Sequence, residues 1–303
     1  MKGSLPIIIG IMKPRLYKNL LRVLYILSIA VYIYFLTDGW SFYETPYQER
    51  PHMEQRYRNL RPAGFRGHTF GVIGSLMMIF MLLYSARKRM ERFQKAGNLS
   101  HWLDIHIFFG IMGPLLIVLH TSFKVQGLVA VSFWSMVAVA LSGVFGRYLY
   151  IQIPRNILGN ELSTDELEKI NKEMADRLKT DFNLDDELLS IVEESAAPRL
   201  APDAGIAKML LLLLVNDLSL RFGLRKIPAD LAARLEMPPK LLHLLWRRAR
   251  QRGLLRMRTM LANQVHQLFH YWHVVHKPFA VIMYVIMVIH IAVDVLMGYR
   301  WIF

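Results

Sequence analysis

Five stretches of the chain are apolar over about twenty consecutive residues, the length that an α-helix needs to cross a bilayer. They lie near 20–37, 68–86, 104–123, 128–150 and 278–298. Each is apolar around its whole circumference, which distinguishes a membrane helix from an amphipathic surface helix. The first stretch has no small-residue cleavage site and is followed by aromatic residues, so we interpret it as a span rather than a signal peptide. The pattern predicts an all-α membrane protein with a five-span helical bundle.

The fourth and fifth stretches are separated by about 125 residues, none of which form a run long enough to cross a membrane. We predict spans 1–4 in residues 1–154, a helical cytoplasmic insert in 155–270 and span 5 in 271–303. Ser163 and Glu166 have the spacing of a capping box that opens a helix. The stretch 180–203, which contains Ala-Ala-Pro and Ala-Pro-Asp, is predicted to be a linker.

Within the insert, residues 204–255 resemble a helix-turn-helix or winged-helix module. The pattern predicts a helix from Ile206 to Leu220, a helix crossing at the small residues Ala232 and Ala233, a short turn at Glu236-Met237, and then a longer helix. Six arginines between 247 and 258 suit the phosphates of anionic lipid or of nucleic acid. Because the module lies between two spans, we expect lipid headgroups or a partner subunit, and nucleic acid is the minority interpretation. A plain helical domain with a basic face explains the same residues equally well.

Basic residues are distributed unequally between the two sides of the predicted membrane. The N-terminal arm 1–19 carries four basic residues and no acid, and the loop after the second span carries five basic residues and one acid. Residues 38–67, on the other side, hold five arginines and four acids. Because cytoplasmic loops are enriched in Lys and Arg, we predict a bacterial-type inner membrane, with the N-terminus and the insert in the cytoplasm and the C-terminus outside.

The composition agrees with a membrane domain joined to a polar one. Hydrophobic residues make up 54% of the chain, the mean hydropathy is +0.28 and the formal net charge is +14. The absence of cysteine excludes disulfides, thiolate-ligated iron–sulfur clusters, thiolate zinc sites and CxxCH haem attachment on this chain. The 11 histidines are therefore the candidates for metal chemistry.

Four histidines form two matching pairs, each with a spacing of fourteen residues. His106 and His120 lie in the third span, and His276 and His290 bracket the fifth. Fourteen helical residues return to within about 40° of the same face and rise roughly 21 Å, so each helix offers one imidazole near each membrane surface. The two spans run in the same direction, which places the members of the pairs at matching depths. This arrangement suits two haems stacked across the bilayer, each held by one histidine from each helix.

Small residues on the third span support this interpretation. Gly113 lies seven positions from both His106 and His120, and Gly110 lies one turn from His106, so macrocycles would have room beside the helix. The fifth span has Met283 at its midpoint instead. Structural histidines or a proton path would also explain ionisable groups inside a membrane, but two matched pairs on parallel spans favour haem ligation.

The fourteen-residue spacing on two parallel helices resembles that of di-haem membrane cytochromes b. More narrowly, it is similar to the transmembrane domain of ferric reductases and NADPH oxidases, over about half of the chain. The resemblance implies axial ligation of two haem b groups by His106, His120, His276 and His290. Those families have no large insert before the fifth span and continue into a flavin and nicotinamide domain, whereas this sequence ends at Phe303 and contains no GxGxxG run. We therefore expect the electron donor to be quinol or another protein.

Other residues are candidates for further roles near the haems. His68 begins the second span at the depth of the outer pair, His120 and His290. It could replace one of them as a ligand, hold a third haem, bind a haem propionate or a quinone, or lie in interfacial water. Arg66, Arg147 and Lys277 are candidate propionate partners, or ordinary membrane-edge anchors. Asp294 lies one turn beyond the last histidine and could orient that ring or take up a proton.

A run of histidines precedes the fifth span. His266, His270 and His273 are followed by His276 at helical spacing, which can chelate a metal such as zinc. Because aromatic residues lie among them, an interfacial girdle is the favoured interpretation.

We predict an electron-transfer subunit of an oxidoreductase, which carries electrons across the inner membrane between a quinol pool or a partner protein and an acceptor on the other face. The redox partner would be a flavoprotein, an iron–sulfur protein or a multihaem cytochrome. One alternative is a non-catalytic membrane anchor or sensor whose cytoplasmic module binds a partner. Another is a proton-coupled transporter that uses the histidines and Asp294.

Overall fold

The fold is built from α-helices throughout the part of the chain that the structure describes. A computed structural model describes residues 14–90, 97–155, 161–197 and 205–298, and these contain no β-strand. The helices are α1 (Pro14–Asp38), α2 (Trp40–Glu44), α3 (Glu54–Leu60), α4 (Phe65–Arg89), α5 (Leu99–Thr121), α6 (Gly127–Gln152), α7 (Thr164–Phe182), α8 (Asp186–Ala196), α9 (Ile206–Arg221), α10 (Ala229–Leu235), α11 (Pro239–Met260) and α12 (Ala262–Leu296). A 3₁₀ turn, Arg50–Met53, precedes α3.

Five of these helices, α1, α4, α5, α6 and α12, are long and apolar enough to cross a membrane. They expose large apolar side chains such as Leu27, Leu141 and Val281, which are 58%, 68% and 60% accessible. Surfaces of this kind suit contact with lipid, where a helix also satisfies its own backbone hydrogen bonds. The prediction of an all-α membrane protein with five spans is confirmed. The fifth helix begins at Ala262, earlier than predicted, because the histidine-rich segment before Pro278 is also helical.

The chain divides into two compact units. The membrane unit comprises Met1–Arg147 and Trp272–Phe303, and the insert unit comprises Tyr148–Tyr271. The predicted insert, 155–270, falls within the second unit. We call the end of the membrane unit at which α5 begins the insert end, and the opposite end, at which residues 39–64 lie, the cap end.

The cap end is held together by one buried arginine. Arg50 is 6% accessible and its guanidinium donates hydrogen bonds to the carbonyl oxygens of Tyr43, Thr45 and Ser122, at 2.8, 2.9 and 2.8 Å. Ser122 follows the last turn of α5, and its hydroxyl donates to the carbonyl of Leu60 at 2.5 Å. These bonds tie the residues between α1 and α4 to the end of α5 that carries His120.

The insert unit has its own apolar core. Its buried members include Leu178, Val192, Leu231, Leu245 and Trp246, from four different helices. The predicted capping box is confirmed: the Ser163 hydroxyl accepts from the Glu166 amide at 3.2 Å, and the Glu166 carboxylate accepts from the Ser163 amide at 2.8 Å.

The linker prediction for 180–203 is wrong over its first part. Residues Asp186–Ala196 form α8, whose N-cap carboxylate, from Asp185, accepts from the Leu188 amide at 2.7 Å. The acids at the start and the helical spacing of Leu188 and Val192 were signals for this helix. The Ala-Pro-Asp end of the predicted linker and residues 1–13 of the basic N-terminal arm lie outside the described residues.

The predicted turn between two helices at Glu236-Met237 is confirmed. Glu236 adopts a left-handed conformation, with φ of +47°, and ends α10, and α11 follows from Pro239. The contact with α11 is made by Leu231 and Leu235, whereas Ala233, predicted at the crossing, is exposed. The described part of this module has helices and no strand, so it contains no wing.

We expect Arg50→Ala to destabilise the membrane unit by about 3 kcal/mol or more, because three buried carbonyl oxygens lose their donor. Thermal unfolding of the purified protein in detergent measures the change. The matched control is Arg58→Ala, which removes an exposed arginine from the same segment and is expected to have little effect. Equal stabilities of the two variants would contradict the role of Arg50.

Candidate functional site

Glycines bring the backbones of α4 and α5 into close contact, and this interface carries two of the four paired histidines. A Cβ atom on Gly74 would lie 3.0 Å from the Gly113 carbonyl oxygen, and one on Gly113 would lie 3.3 Å from the Gly74 carbonyl oxygen and 3.1 Å from Cγ of Met78. Close packing through small residues is typical of membrane helices. The space at Gly113 is therefore filled by α4, and this contact does not support the prediction that the space is kept for a macrocycle.

Both paired histidines of α5 donate hydrogen bonds to main-chain carbonyl oxygens of α4. Nδ1 of His106 lies 3.2 Å from the Met81 oxygen, and Nδ1 of His120 lies 2.9 Å from the Gly67 oxygen. These contacts lie seven residues to either side of the glycine contact on both helices, as a constant antiparallel register requires. Gly71 makes room for the His120 ring, because a Cβ there would lie 2.6 Å from Nδ1.

The third paired histidine, His276, is held by α6. Its Nδ1 lies 2.7 Å from the hydroxyl oxygen of Ser142, and that hydroxyl donates to the Val139 carbonyl at 2.9 Å. Trp272 packs on the His276 ring, with centroids 4.7 Å apart, and its indole N–H donates to the Ser142 carbonyl at 2.8 Å. Ser142 thus positions both rings.

These partners fix the tautomer of two imidazole rings and accommodate the same tautomer in a third. A carbonyl oxygen only accepts hydrogen bonds, so Nδ1 of His106 and of His120 must carry the hydrogen. The Ser142 hydroxyl can accept from Nδ1 of His276 while it donates to the Val139 carbonyl, which gives His276 the same tautomer. In each ring Nε2 is left with a free lone pair, which is the form of imidazole that binds a metal, and the bonded Nδ1 is the usual outer-shell support of such a ligand.

At the cap end, the rings of His120 and His290 lie beside each other. Their ring centroids are 6.4 Å apart with an interplanar angle of 49°. Two metal–nitrogen bonds of about 2 Å each, with about 1 Å from each nitrogen to its ring centre, add up to about 6 Å, so the separation of the two rings matches that of two imidazoles bound to one metal ion. His290 differs from the other three because its Nε2 lies 3.4 Å from a carboxylate oxygen of Asp294. Ligation through that nitrogen would compete with the carboxylate.

Two further interactions within the membrane unit join histidine rings at the two levels. His106 and His276, at the insert end, are near enough to interact electrostatically. His68 interacts in the same way with His120 at the cap end, which agrees with the depth predicted for it. In the described ranges, no group of three or more His, Asp or Glu side chains has the geometry of a metal site.

Helix α12 reaches its neighbours in the membrane unit through side chains. Close approach of Cα atoms, within 8 Å, is concentrated between α4 and α5. Hydrogen bonds link α12 to α4 and α6: the Tyr284 hydroxyl donates to the Met78 carbonyl at 2.6 Å, and the Ser132 hydroxyl donates to the Met283 carbonyl at 3.0 Å. These bonds fix α12 beside the helices that position the other paired histidines.

A methionine cluster fills the core between the two histidine levels. Its buried members are Met78, Met81, Met136, Met283 and Met287. Methionine is unbranched and flexible, and it adapts to irregular spaces. This core can therefore repack around a bound group more easily than one of branched side chains.

Two of the three predicted propionate partners have carboxylate partners within the membrane unit. Arg66 lies 2.5 Å from Asp38, and Arg147 lies 3.2 Å from Asp104. Lys277 is exposed. The ion pairs explain both arginines as links between helices, and a haem propionate would have to share them.

The histidine run before the fifth span does not converge on one point. His266 lies 3.3 Å from a carboxylate oxygen of Glu161, and the His270 ring contacts Tyr271. In the membrane unit, His273 packs against Trp272. Aromatic contacts agree with the interfacial girdle, and the zinc alternative gains no support.

The arginines of α11 are largely neutralised by acids of the same unit. Arg248 pairs with Asp181, Arg252 and Arg256 pair with Glu193, and Arg258 pairs with Asp217. The acidic and basic halves of the insert thus fold onto each other. Phosphates of lipid or nucleic acid are not needed to explain these four residues.

Sequence reasoning identified the four histidines but missed the groups that hold them. Ser142 and the carbonyl oxygens of Gly67 and Met81 were not predicted. One signal was present: Gly67, Gly74 and Met81 recur every seven residues, as do His106, Gly113 and His120. Matching heptad spacing on adjacent antiparallel helices indicates one continuous seam.

We expect Gly71→Ala to destabilise the membrane unit by about 1–3 kcal/mol, because the added methyl group displaces the His120 ring from its carbonyl partner. Thermal unfolding in detergent measures this change. The control is Gly143→Ala in α6, where a Cβ meets nothing within 4 Å and no loss is expected. If both variants unfold at the temperature of the unmodified protein, the His120 ring is not confined as described.

Comparisons of the chain with protein families, with curated proteins and with solved structures find no match.

Proposed function

We propose that this protein is a di-haem b-type cytochrome that moves electrons across a membrane as a subunit of a redox complex. The observation that carries the proposal is the arrangement of His106, His120 and His276, whose Nδ1 atoms are engaged by partners that leave each Nε2 free. The spacing of His120 and His290, which suits one shared metal ion, supports it independently.

The donor set fits haem b. Neutral imidazole is a standard axial ligand of haem iron, and His106 with His276 would hold one haem while His120 with His290 would hold the other. Without cysteine, the chain offers no covalent CxxCH attachment, which favours the b type. A haem at each level would accept and release one electron at a time.

The protein's own residues set the properties of such a site. Hydrogen bonds from Nδ1 keep each ring in its orientation and make Nε2 more basic. Apolar helices exclude water, and the methionine cluster separates two levels that are roughly 21 Å apart along the helix axes. Asp294 lies beside His290 at the cap-end level, whereas Asp104, near the insert-end level, pairs with Arg147, so the two levels differ in their electrostatics.

The electron donor is inferred from the predicted membrane orientation and from the nucleotide-binding motif that the sequence lacks. The excess of basic residues near the insert end supports a bacterial-type inner membrane in which the N-terminus and the insert are cytoplasmic and the C-terminus is outside. The sequence contains no nucleotide-binding GxGxxG run. We therefore infer a quinol pool or a partner protein as the donor, the partner being a flavoprotein, an iron–sulfur protein or a multihaem cytochrome.

We expect the purified protein to carry two b-type haems per chain, measured by pyridine haemochrome against protein concentration. His120→Ala and His290→Ala are each expected to lose the same haem, and His106→Ala and His276→Ala the other, because each iron needs one ligand from each helix. His270→Ala, a change on the same helix as two of the ligands, serves as the control and is expected to keep both haems.

Absence of dithionite-reducible b-type bands would overturn the proposal and leave a membrane anchor or sensor, or a proton-coupled transporter, as the function. Loss of neither haem on replacement of His120 would reassign the ligands. A third haem that disappears in His68→Ala would add that residue to the ligand set, and two haems with unchanged content in this variant would exclude it from haem ligation.

We expect Ser142→Ala to raise the reduction potential of the insert-end haem alone. His276 then loses the acceptor for its Nδ1–H, and a less basic ligand stabilises oxidised iron less. A redox titration followed at the b-type absorption bands measures the shift. Ser142→Thr, which retains the hydroxyl, should restore the potential, and Ser135→Ala, at a buried serine two turns away on α6, should leave it unchanged. Equal shifts of both haems would argue against this positioning role.

A further inference from the structure

A cavity of about 470 Å³ lies in the insert unit, away from the arginine–acid pairs of α11. Its wall includes Ser195, Leu212, Asn216, Arg225, Lys226 and Trp246. Both charged residues of this wall are cations, and among the described residues no carboxylate lines the cavity. The volume falls within the range of small-molecule sites.

The two cations in the wall have no acid partner in the described part of the chain. Arg225 and Lys226 lie in the connection between α9 and α10, and both are exposed. This contrasts with Arg248, Arg252 and Arg258 of the same unit, which are all paired. The positive charge at the cavity is thus left without an acid partner among the described residues, whereas these three arginines of α11 are neutralised.

A third cation lies buried beside the cavity. Arg250 is 5% accessible, and within the described residues its guanidinium has one hydrogen-bond partner, the neutral hydroxyl of Ser219 at 2.6 Å. Burial, reinforced by the nearby Arg225 guanidinium, lowers the pKa of Arg250, although an arginine remains charged at physiological pH. A buried cation without a counter-charge is costly, and a bound anion would offset that cost.

Hydrogen bonds connect Arg250 to the cavity wall and hold the wall in place. The Ser219 hydroxyl donates to the carbonyl of Asn216, a buried wall residue that is 3% accessible. Trp246 lies one turn before Arg250 on α11, and its indole N–H donates to the Arg225 carbonyl at 3.0 Å. The loop that carries the two exposed cations is therefore fixed against an apolar aromatic wall.

We propose that this cavity binds a phosphate-bearing ligand, with Arg225 and Lys226 contacting the phosphate and Trp246 bordering its less polar part. Guanidinium and ammonium groups are the usual partners of phosphate. The phosphate could belong to a soluble phosphorylated compound or to an anionic lipid headgroup, and the chemistry of recognition is the same. This site is independent of the histidine pairs.

The test measures binding to the full chain purified in detergent. Isothermal titration with ADP and with inorganic pyrophosphate probes the soluble source, and titration with phosphatidylglycerol against phosphatidylcholine in mixed micelles probes the lipid source. The variant Arg225→Ala/Lys226→Ala removes both exposed cations of the cavity. Its matched control, Lys240→Ala/Arg247→Ala, removes two exposed cations of α11 outside the cavity wall and has the same net charge.

We expect saturable binding of at least one phosphate probe, weakened tenfold or more in the cavity variant and unchanged in the control variant. Binding of ADP or pyrophosphate identifies a soluble ligand, and selective binding of phosphatidylglycerol identifies a lipid headgroup. Equal weakening in both double variants would reduce the effect to net charge and overturn the proposal. Failure of every probe to bind saturably would overturn it as well, whatever the haem content of the same preparation.

Discussion

A polar ring nitrogen inside a lipid-facing bundle needs a hydrogen-bond partner, and this requirement organises the membrane unit. Helix backbones form their own hydrogen bonds, but a carbonyl oxygen can accept a second one. The partner of a ring nitrogen is therefore a carbonyl oxygen at a position where another helix approaches, or a side-chain hydroxyl. The contact between Gly74 and Gly113 provides that approach, and the register it sets brings His106 and His120 to carbonyl oxygens of α4. Ser142 supplies the equivalent acceptor for His276. One packing seam thus determines the tautomers of two rings, and one hydroxyl accommodates the same tautomer in the third.

The insert unit follows a different principle, the pairing of charges that are far apart in the sequence. Its acids are concentrated before residue 204 and its bases after residue 220, and folding brings Glu193 to Arg252 and Asp181 to Arg248. Such pairs contribute little individually where they are exposed, but they account for most of the positive charge of α11. Arg225 and Lys226 have no such partner among the described residues and line one cavity, which makes them candidates for binding.

The two proposals assign different tasks to the two units. In the membrane unit, the free Nε2 atoms and the paired histidines of α5 and α12 suit a pair of haems that relay electrons along the helix axes. In the insert unit, an unneutralised cavity suits a phosphate-bearing ligand, and its chemistry does not depend on the haems. A redox subunit that also binds such a ligand would have a means of responding to the state of the cell or of its membrane.

The class of the fold and the matching spacing of the four histidines can be predicted from the amino-acid sequence. Continuous apolar stretches predict membrane helices from length alone, and a spacing of fourteen residues places two rings on one face because the helical period is fixed. It also predicted the capping box at Ser163, which depends on residues three apart. Which helix packs against each of these faces is known only from the tertiary structure. The helical period says which residues share a face, but the neighbour of that face depends on packing between distant segments. For this reason local periodicity does not predict that Gly113 lies against α4 or that the partner of His276 lies on α6. Nor does it predict that Arg66 and Arg147 lie beside acids.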